Sequence, residues 1–415
     1  MRLVIDISEL AAWRGRLTGV PRVMSELAYR FNEGGDTIFI AWDGQAHLYR
    51  EIDFPNIAEE DAKETAALPT RSVLRRGVHR IRTRSRLADR TVGYIVNNLR
   101  KAMSAPSASP DAPEGLKLSS GDTLFVMADW HGSDTQFVEY LVSIQKAGVQ
   151  IVQMCYDLLP LVTPQYSGHA TETLTNYAKK IYPISSKIIT ISEHTKRDVK
   201  AWLSERKLTV PPIDVIRLGD DFHMTKPVAP SEVDRIGKFI LCVGTIESRK
   251  NHTLLYYTYR LAAERGIELP PLVIVGRRGW KTDDLYEILT HDLQVKDKFV
   301  ILESASDENL SWLYGNCLFT IYPSFYEGWG LPISESVNYG TPCLCSNTSS
   351  MPEVAGDLVT YFSPFSTDEC LKAVLDMLKP GAIEASKERL KTYRPTLWDD
   401  TFESVKKGLG RINEQ

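Results

Sequence analysis

The sequence is poor in features that would assign it to several common classes. Its 415 residues contain no run approaching the roughly 18 apolar residues that a bilayer-spanning helix requires. The opening MRLVIDISEL is too short and too acidic for the apolar core of a secretory signal, so a cytoplasmic protein is expected. The six cysteines (Cys155, Cys242, Cys317, Cys343, Cys345 and Cys370) show no C-x2-C spacing and lie mostly in apolar, strand-like runs. They read as reduced core residues, although Cys343 and Cys345, two apart, would share one face of a strand and leave a weak metal or redox alternative. There is no D-x-D sequence, no His/Asp/Glu cluster at metal-ligand spacing and no short-period repeat, so neither a catalytic metal ion nor another cofactor is expected. A net charge of -4 argues against a surface made for nucleic acid as a whole.

What is present is an α/β pattern. The length suits two domains, and 43% hydrophobic with 25% charged residues is ordinary for a globular protein. Short β-branched runs alternate with helical periodicity, the sign of parallel strands joined by crossover helices. In the first half the runs are Leu3 to Ile5, Thr37 to Ala41, Thr123 to Met127, Gln150 to Cys155 and Lys187 to Ile191. A Pro-rich stretch, Lys226 to Ser231, reads as a linker, and a second series follows: Phe239 to Gly244, Leu272 to Gly276, Phe299 to Leu302, Leu318 to Tyr322 and Pro342 to Cys345. Two doubly wound sheets are therefore expected, in domains of residues 1–225 and 236–380, with a helical segment over 381–415.

One segment stands apart. Arg71 to Lys101 carries nine arginines and a lysine with almost no acid and runs into Ser- and Pro-rich chain, forming a basic insertion over 71–118. It is either a solvated insertion or a surface for anionic phospholipid or a lipid-diphosphate acceptor.

Chemistry concentrates in two stretches. Ser324 to Glu335 follows an apolar strand, at the sheet edge where open α/β folds bind ligands. There Gly328 and Gly330 would let the backbone approach a ligand, and Pro332 suits the first position of a helix whose amides favour an anion. Glu327 on the loop and Glu335 in the first helical turn would face one pocket, one near a sugar and the other holding ribose hydroxyls; a turn Glu and a dipole-favoured Glu are the plainer explanations. The second stretch, Gly244 to Asn251, sets Arg249 and Lys250 side by side after a strand, where two cations can grip a diphosphate and offset its charge as it departs, or can simply be a solvated loop.

These motifs, in this order and about 80 residues apart, resemble the retaining glycosyltransferases of family 4 with the GT-B fold. Glu327 and Glu335 have the E-x7-E spacing, and Arg249-Lys250-Asn251 is similar to the phosphate grip. Tyr156 to Pro160 resembles (H/Y)-D-L-x-P, Thr190 to Glu193 resembles T-x-S-E, Leu218 to Asp220 resembles x-G-D, and Ser350 to Asp357 resembles S-x-P-E-x-x-G-D. The resemblance implies a nucleotide-sugar donor in the second domain, with Glu335 on the ribose, Arg249 and Lys250 on the diphosphate, and Glu327 near the transferred sugar. Gly244, Thr245, Gly330 and Leu331 would line the donor, and Gly19 in the loop Gly15 to Arg22 would cover its phosphates from the first domain. Thr245 stands where many members carry Arg, which shifts the grip toward Arg249. Asp157, after a buried strand, would reach an acceptor hydroxyl or merely cap the next segment. Tyr156 and His131 are further acceptor-side candidates.

The expected activity is metal-independent transfer of a hexose, first mannose from GDP-mannose, onto a growing or lipid-linked surface polysaccharide. A nucleotide-sugar epimerase or phosphorylase on the same fold is the enzymatic alternative, and a non-catalytic scaffold subunit the alternative of another kind.

Overall fold

The computed structural model describes residues 2–13, 17–54, 115–128, 134–167, 170–221, 225–233, 236–279 and 282–410. His131, the Arg71 to Lys101 segment and residues 14–16 of the first-domain loop lie outside them. Two sheets carry the architecture. The first contains β1 (Leu3–Asp6), β2 (Thr37–Asp43), β3 (Leu48–Glu51), β4 (Thr123–Val126), β5 (Gln150–Cys155), β6 (Lys187–Thr190) and β7 (Ile213–Val215), in the order β3-β2-β1-β4-β5-β6-β7. The second contains β8 (Ile240–Val243), β9 (Leu272–Val275), β10 (Phe299–Leu302), β11 (Thr320–Tyr322), β12 (Cys343–Ser346) and β13 (Thr360–Phe362), in the order β10-β9-β8-β11-β12-β13. Strands such as β4, β9 and β12 are buried along their whole length, which is why they read as continuous apolar runs.

The first sheet departs from the expected all-parallel pattern at one edge. Strand β3 pairs antiparallel with β2, from Ile40 opposite Glu51 to Asp43 opposite Leu48. The Asp43 carboxylate accepts hydrogen bonds from the Gln45 and Ala46 amides at 2.9 and 3.0 Å, closing the tight turn that makes this hairpin.

In each sheet the strand order reverses beside the first strand, between β1 and β4 and between β8 and β11. The loops leaving such a pair diverge and open a crevice at the strands' carboxyl ends. In the second sheet those are the loops that carry Arg249-Lys250 and Glu327.

The sheets share a core. One apolar cluster contains Ile5, Met24 and Tyr156 from the first domain together with Trp329, Ile333 and Val354 from the second. The chain then returns to its starting side. Helix Trp398–Gly410 packs on the first domain, where Phe402 meets Phe31 of the helix Val20–Glu33 edge-on at 4.9 Å and the Gly408 carbonyl accepts from Lys187 Nζ of β6 at 2.6 Å. All six cysteines are buried with free thiols. Among the described residues, no helix is long and apolar enough to cross a membrane.

Gly219 shows how tightly the returning segment fits. A Cβ there would lie 2.5 Å from the Trp398 ring and 2.8 Å from its Cα. Gly219→Ala is therefore expected to destabilise the fold by about 1–3 kcal/mol through overpacking, read as a lowered urea midpoint; an unchanged midpoint would contradict this packing.

Candidate active site

The crevice is built from the two loops at the β8/β11 reversal. Gly244 leaves β8 with φ of 146°, a conformation disfavoured for residues with a Cβ, and its N–H donates to the Val275 carbonyl at 2.8 Å. The chain then makes one short turn over Ser248–Lys250 and reaches Asn251 in the left-handed region, φ 57°. Asn251 is buried, and its side-chain amide donates to the Pro323 and Pro364 carbonyls at 3.1 and 2.9 Å. The Asn of the Arg-Lys-Asn motif is thus an anchor that joins three loops, and the two cations before it point into the crevice.

There they meet Glu327. Its Oε2 lies 2.7 Å from Arg249 Nη1 and its Oε1 2.7 Å from Lys250 Nζ, while Arg249 Nε is 2.7 Å from Glu247 Oε1. The Tyr322 hydroxyl is shared, bonded to Lys250 and 3.3 Å from Glu327 Oε1. The Glu327 backbone is held too: its N–H donates to Ser349 Oγ at 3.0 Å and its carbonyl accepts from Ser350 Oγ at 2.8 Å. Burial opposes the Glu327 charge, but Arg249 and Lys250 outweigh it and hold the carboxyl at about 2. Lys250 shifts down, because burial and neighbouring Arg249 together exceed the pull of Glu327. For Arg249 the balance runs the other way: burial is outweighed by Glu327 and Glu247, and its pKa rises.

Asp157 reaches the same crevice from the carboxyl end of β5. Burial raises its carboxyl, Arg249 draws it down, and the Glu327 and Asp198 charges push it up. It also accepts from the Leu159 amide at 2.9 Å, as a residue capping the next segment does. Tyr156, the acceptor-side candidate beside it, is buried, and its ring belongs to the apolar cluster shared by the two domains.

Three expectations about the Glu327 to Glu335 stretch need correction. Gly328 is packed against the other domain, since a Cβ there would lie 2.3 Å from the Tyr156 carbonyl oxygen and 3.0 Å from Asp157 Cβ. The helix is Leu331–Asn338, capped by Gly330 at φ 121°, so Pro332 is its second residue. Glu335, its fifth, lies beyond the first turn, and dipole preference does not explain it. Glu335 also keeps separate company from Glu327. Its Oε2 accepts from the Tyr314 hydroxyl at 2.7 Å, and its Oε1 lies 3.4 Å from Arg22 Nη1 on the first-domain helix Val20–Glu33. Gly19, the N-cap of that helix at φ 60°, faces open space where a Cβ would be. Thr245 lies in the loop after Gly244, its Cγ2 packed close to Gly279. The structure thus unites Arg249, Lys250, Glu327 and Asp157, and sets Glu335 with Arg22 on a neighbouring wall.

The remaining motifs form the seam between domains. Glu353 accepts from the Glu193 and His194 amides at 2.7 and 2.8 Å, capping helix Glu193–Glu205 from across the boundary. Arg217 donates to the Val354 carbonyl at 2.6 Å, Tyr326 to Asp198 Oδ2 at 2.5 Å, and Asn338 to the Asp220 carbonyl. Asp198 had no local sequence signal, and Arg22 and Glu353, though inside stretches singled out from the sequence, gave no sign of their partners, because each acts through a contact with the other domain.

The fold is GT-B, and residues 229–394 match the family model described as glycosyl transferases group 1, which accounts for the second domain and its crevice. Over 257 residues the chain is 28% identical to the serotype-specific mannosyltransferase WbdA of Escherichia coli, covering 59% of this chain and 31% of that protein. It is 36% identical over 141 residues to O-antigen chain mannosyltransferase B of Escherichia coli, covering 34% and 37%. Each match spans well under half of the relative's length. Among solved structures, sucrose-phosphate synthase from Thermosynechococcus elongatus superposes with a TM-score of 0.61 at 17% identity over 100% of both chains. HepE of Anabaena, crystallised with UDP and glucose, gives 0.58 at 13% identity over 99% and 100%. At such identities the likeness is one of fold.

The site also dictates acid sensitivity. His252, next to Asn251, is buried with neither ring nitrogen hydrogen-bonded among the described residues, and burial with the nearby Lys250 charge pushes it to about 3. The unfolded chain takes up a proton at this ring below about 6.5 that the folded chain refuses, so stability falls as pH drops from there toward 3. Glu327 adds a second loss as pH falls from its ordinary 4.5 through about 2. Urea midpoints should therefore decline progressively below pH 6.5, and His252→Leu should flatten the upper part; a wild-type midpoint constant from pH 7 to 4 would contradict this.

Proposed function

We propose that the protein is a retaining glycosyltransferase that moves a hexose, mannose from GDP-mannose in the first instance, onto a growing or lipid-linked surface polysaccharide. One observation carries this reading: a buried carboxylate holding two cations side by side at the reversal point of the second sheet, with Glu335 on the adjoining wall. The mannosyltransferase relatives support the choice of sugar. Arg249 and Lys250 receive the diphosphate as the bond to the sugar's anomeric carbon breaks and its electron pair passes to the leaving oxygen. Glu327 aligns the two cations and faces the sugar, where charge becomes positive. The acceptor oxygen bonds to the anomeric carbon from the side the diphosphate leaves, and its proton passes to the departing diphosphate. Asp157 orients that acceptor hydroxyl. Glu335 exchanges Arg22 and Tyr314 for ribose hydroxyls, and Gly19 with Arg22 closes over the phosphates. Where the acceptor is lipid-linked, the Arg71 to Lys101 segment meets the anionic membrane face, and flotation with anionic vesicles that is lost in high salt is its signature.

A screen of GDP-, UDP- and dTDP-sugars tests the function. Turnover of GDP-mannose is expected, undiminished by EDTA because the two cations perform the electrostatic work of a metal ion. Turnover of none of these donors overturns the assignment.

The roles separate in kinetics. Lys250→Ala is expected to lower kcat about a hundredfold or more with a smaller effect on KM, because leaving-group charge develops in the transition state. Glu335→Ala should mainly raise the donor KM. Glu327→Gln should abolish most turnover yet bind GDP at least as tightly as wild type, since the anion competing for Arg249 and Lys250 is gone. Equal small effects from all three would contradict these assignments.

A further inference from the structure

Beside the charged cluster three aromatic rings stand in a row. Tyr166, which ends the first-domain turn Pro164–Tyr166, stacks on Phe325 of the second domain with ring centroids 5.4 Å apart and planes 9° apart. Phe325 in turn meets Phe365 at 5.2 Å, tilted by 32°. The middle ring of the row is tied to the site, because the Phe325 N–H donates to the Arg249 carbonyl at 2.9 Å and Phe325 precedes Glu327 by two residues. The outer end is tied as well: Phe365 follows Pro364, whose carbonyl accepts from Asn251. Yet the Phe365 residue is 76% exposed. A single exposed phenylalanine needs no explanation. This one ends an aromatic row that starts at Tyr166, crosses the domain boundary to Phe325 beside Arg249 and runs out into solvent.

Resting on the transferase reading above, we propose that this row is a sugar-stacking subsite for the acceptor, in which the free face of Phe365 takes a neutral pyranose unit remote from the reacting hydroxyl. A pyranose presents a flat face of C–H bonds with hydroxyls around its rim. The face suits the negative π surface of an aromatic ring, and the rim stays hydrated. A single exposed ring beside polar chain offers that fit, whereas a lipid tail would need an enclosed apolar channel. The donor nucleoside belongs to the wall where Glu335, Tyr314 and Arg22 meet, whereas the row runs out from the Arg249 backbone. An acceptor chain lying along the row would thus reach Asp157 and Glu327 with its terminal unit while an earlier unit rests on Phe365.

The test uses the full chain with α-mannotriose and maltotriose as probes, followed by saturation-transfer NMR, and with GDP followed by calorimetry. At least one trisaccharide should bind wild type. Phe365→Ala should weaken that binding by about tenfold or more, Phe365→Trp should retain it, and GDP affinity should be the same in all three. The subsite is overturned if wild type binds neither trisaccharide, if Phe365→Ala binds as wild type does, or if GDP affinity falls in parallel, which would assign the ring to the donor base. Saccharide binding is read without donor, so loss of the subsite and loss of the transferase reading are separate results: absence of turnover with a normal Phe365 effect would remove only the latter.

Discussion

Glu327 pairs with Arg249 and Lys250 in a largely dehydrated crevice, and much else in the structure exists to keep that arrangement in place. Removing three charges from water costs several kcal/mol each before their attraction is counted, so such a cluster gives little net stability. Losing one partner is another matter, because the remaining buried charge is left uncompensated. The arrangement is held by neutral neighbours: Asn251 anchors the cationic turn, Ser349 and Ser350 hold the Glu327 backbone, and Tyr322 lies between lysine and carboxylate. Fixed charge in a dry site is what a reaction that releases a diphosphate needs, since little reorganisation remains when the bond breaks.

Topology explains why the cluster lies where it does. The second sheet reverses its strand order between β8 and β11, and the loops from those two strands supply the cations and the carboxylate. The first sheet closes the crevice from above, with Asp157 after β5 and Arg22 near the start of its first long helix. Its contact is specific in detail: Gly328 lacks a side chain where the Tyr156 carbonyl comes closest, and Glu353 caps a helix of the opposite domain. Motif residues outside the crevice, Glu353 and Asp220 among them, hold the two halves in register.

Much of this was legible in the chain. Strands β5 and β10 fall on the very runs Gln150 to Cys155 and Phe299 to Leu302, because short apolar, β-branched runs mark strands even where, as at the sheet edge in β10, burial is partial. Strand β3 was not legible: Leu48–Glu51 mixes charge with apolar residues and depends on a turn made by Asp43. Strands β7 and β13 are three residues each, too short for periodicity to register. In the site, Arg249, Lys250 and Glu327 were found because each follows an apolar strand within a recognisable spacing. Glu335 lies one residue deeper in its helix than expected, since nothing local shows that the helix starts at Leu331 under a glycine cap. Arg22 lies more than three hundred positions from Glu335 in sequence, and only the folded chain brings them together.

The measurement that bears most directly on the central claim is a crystal structure of the full chain with GDP. The account predicts the diphosphate within hydrogen-bond reach of Arg249 and Lys250 and the ribose hydroxyls on Glu335, with Arg22 released from that carboxylate. A nucleotide lodged elsewhere, with Glu335 still bonded to Arg22 and Tyr314, would contradict it.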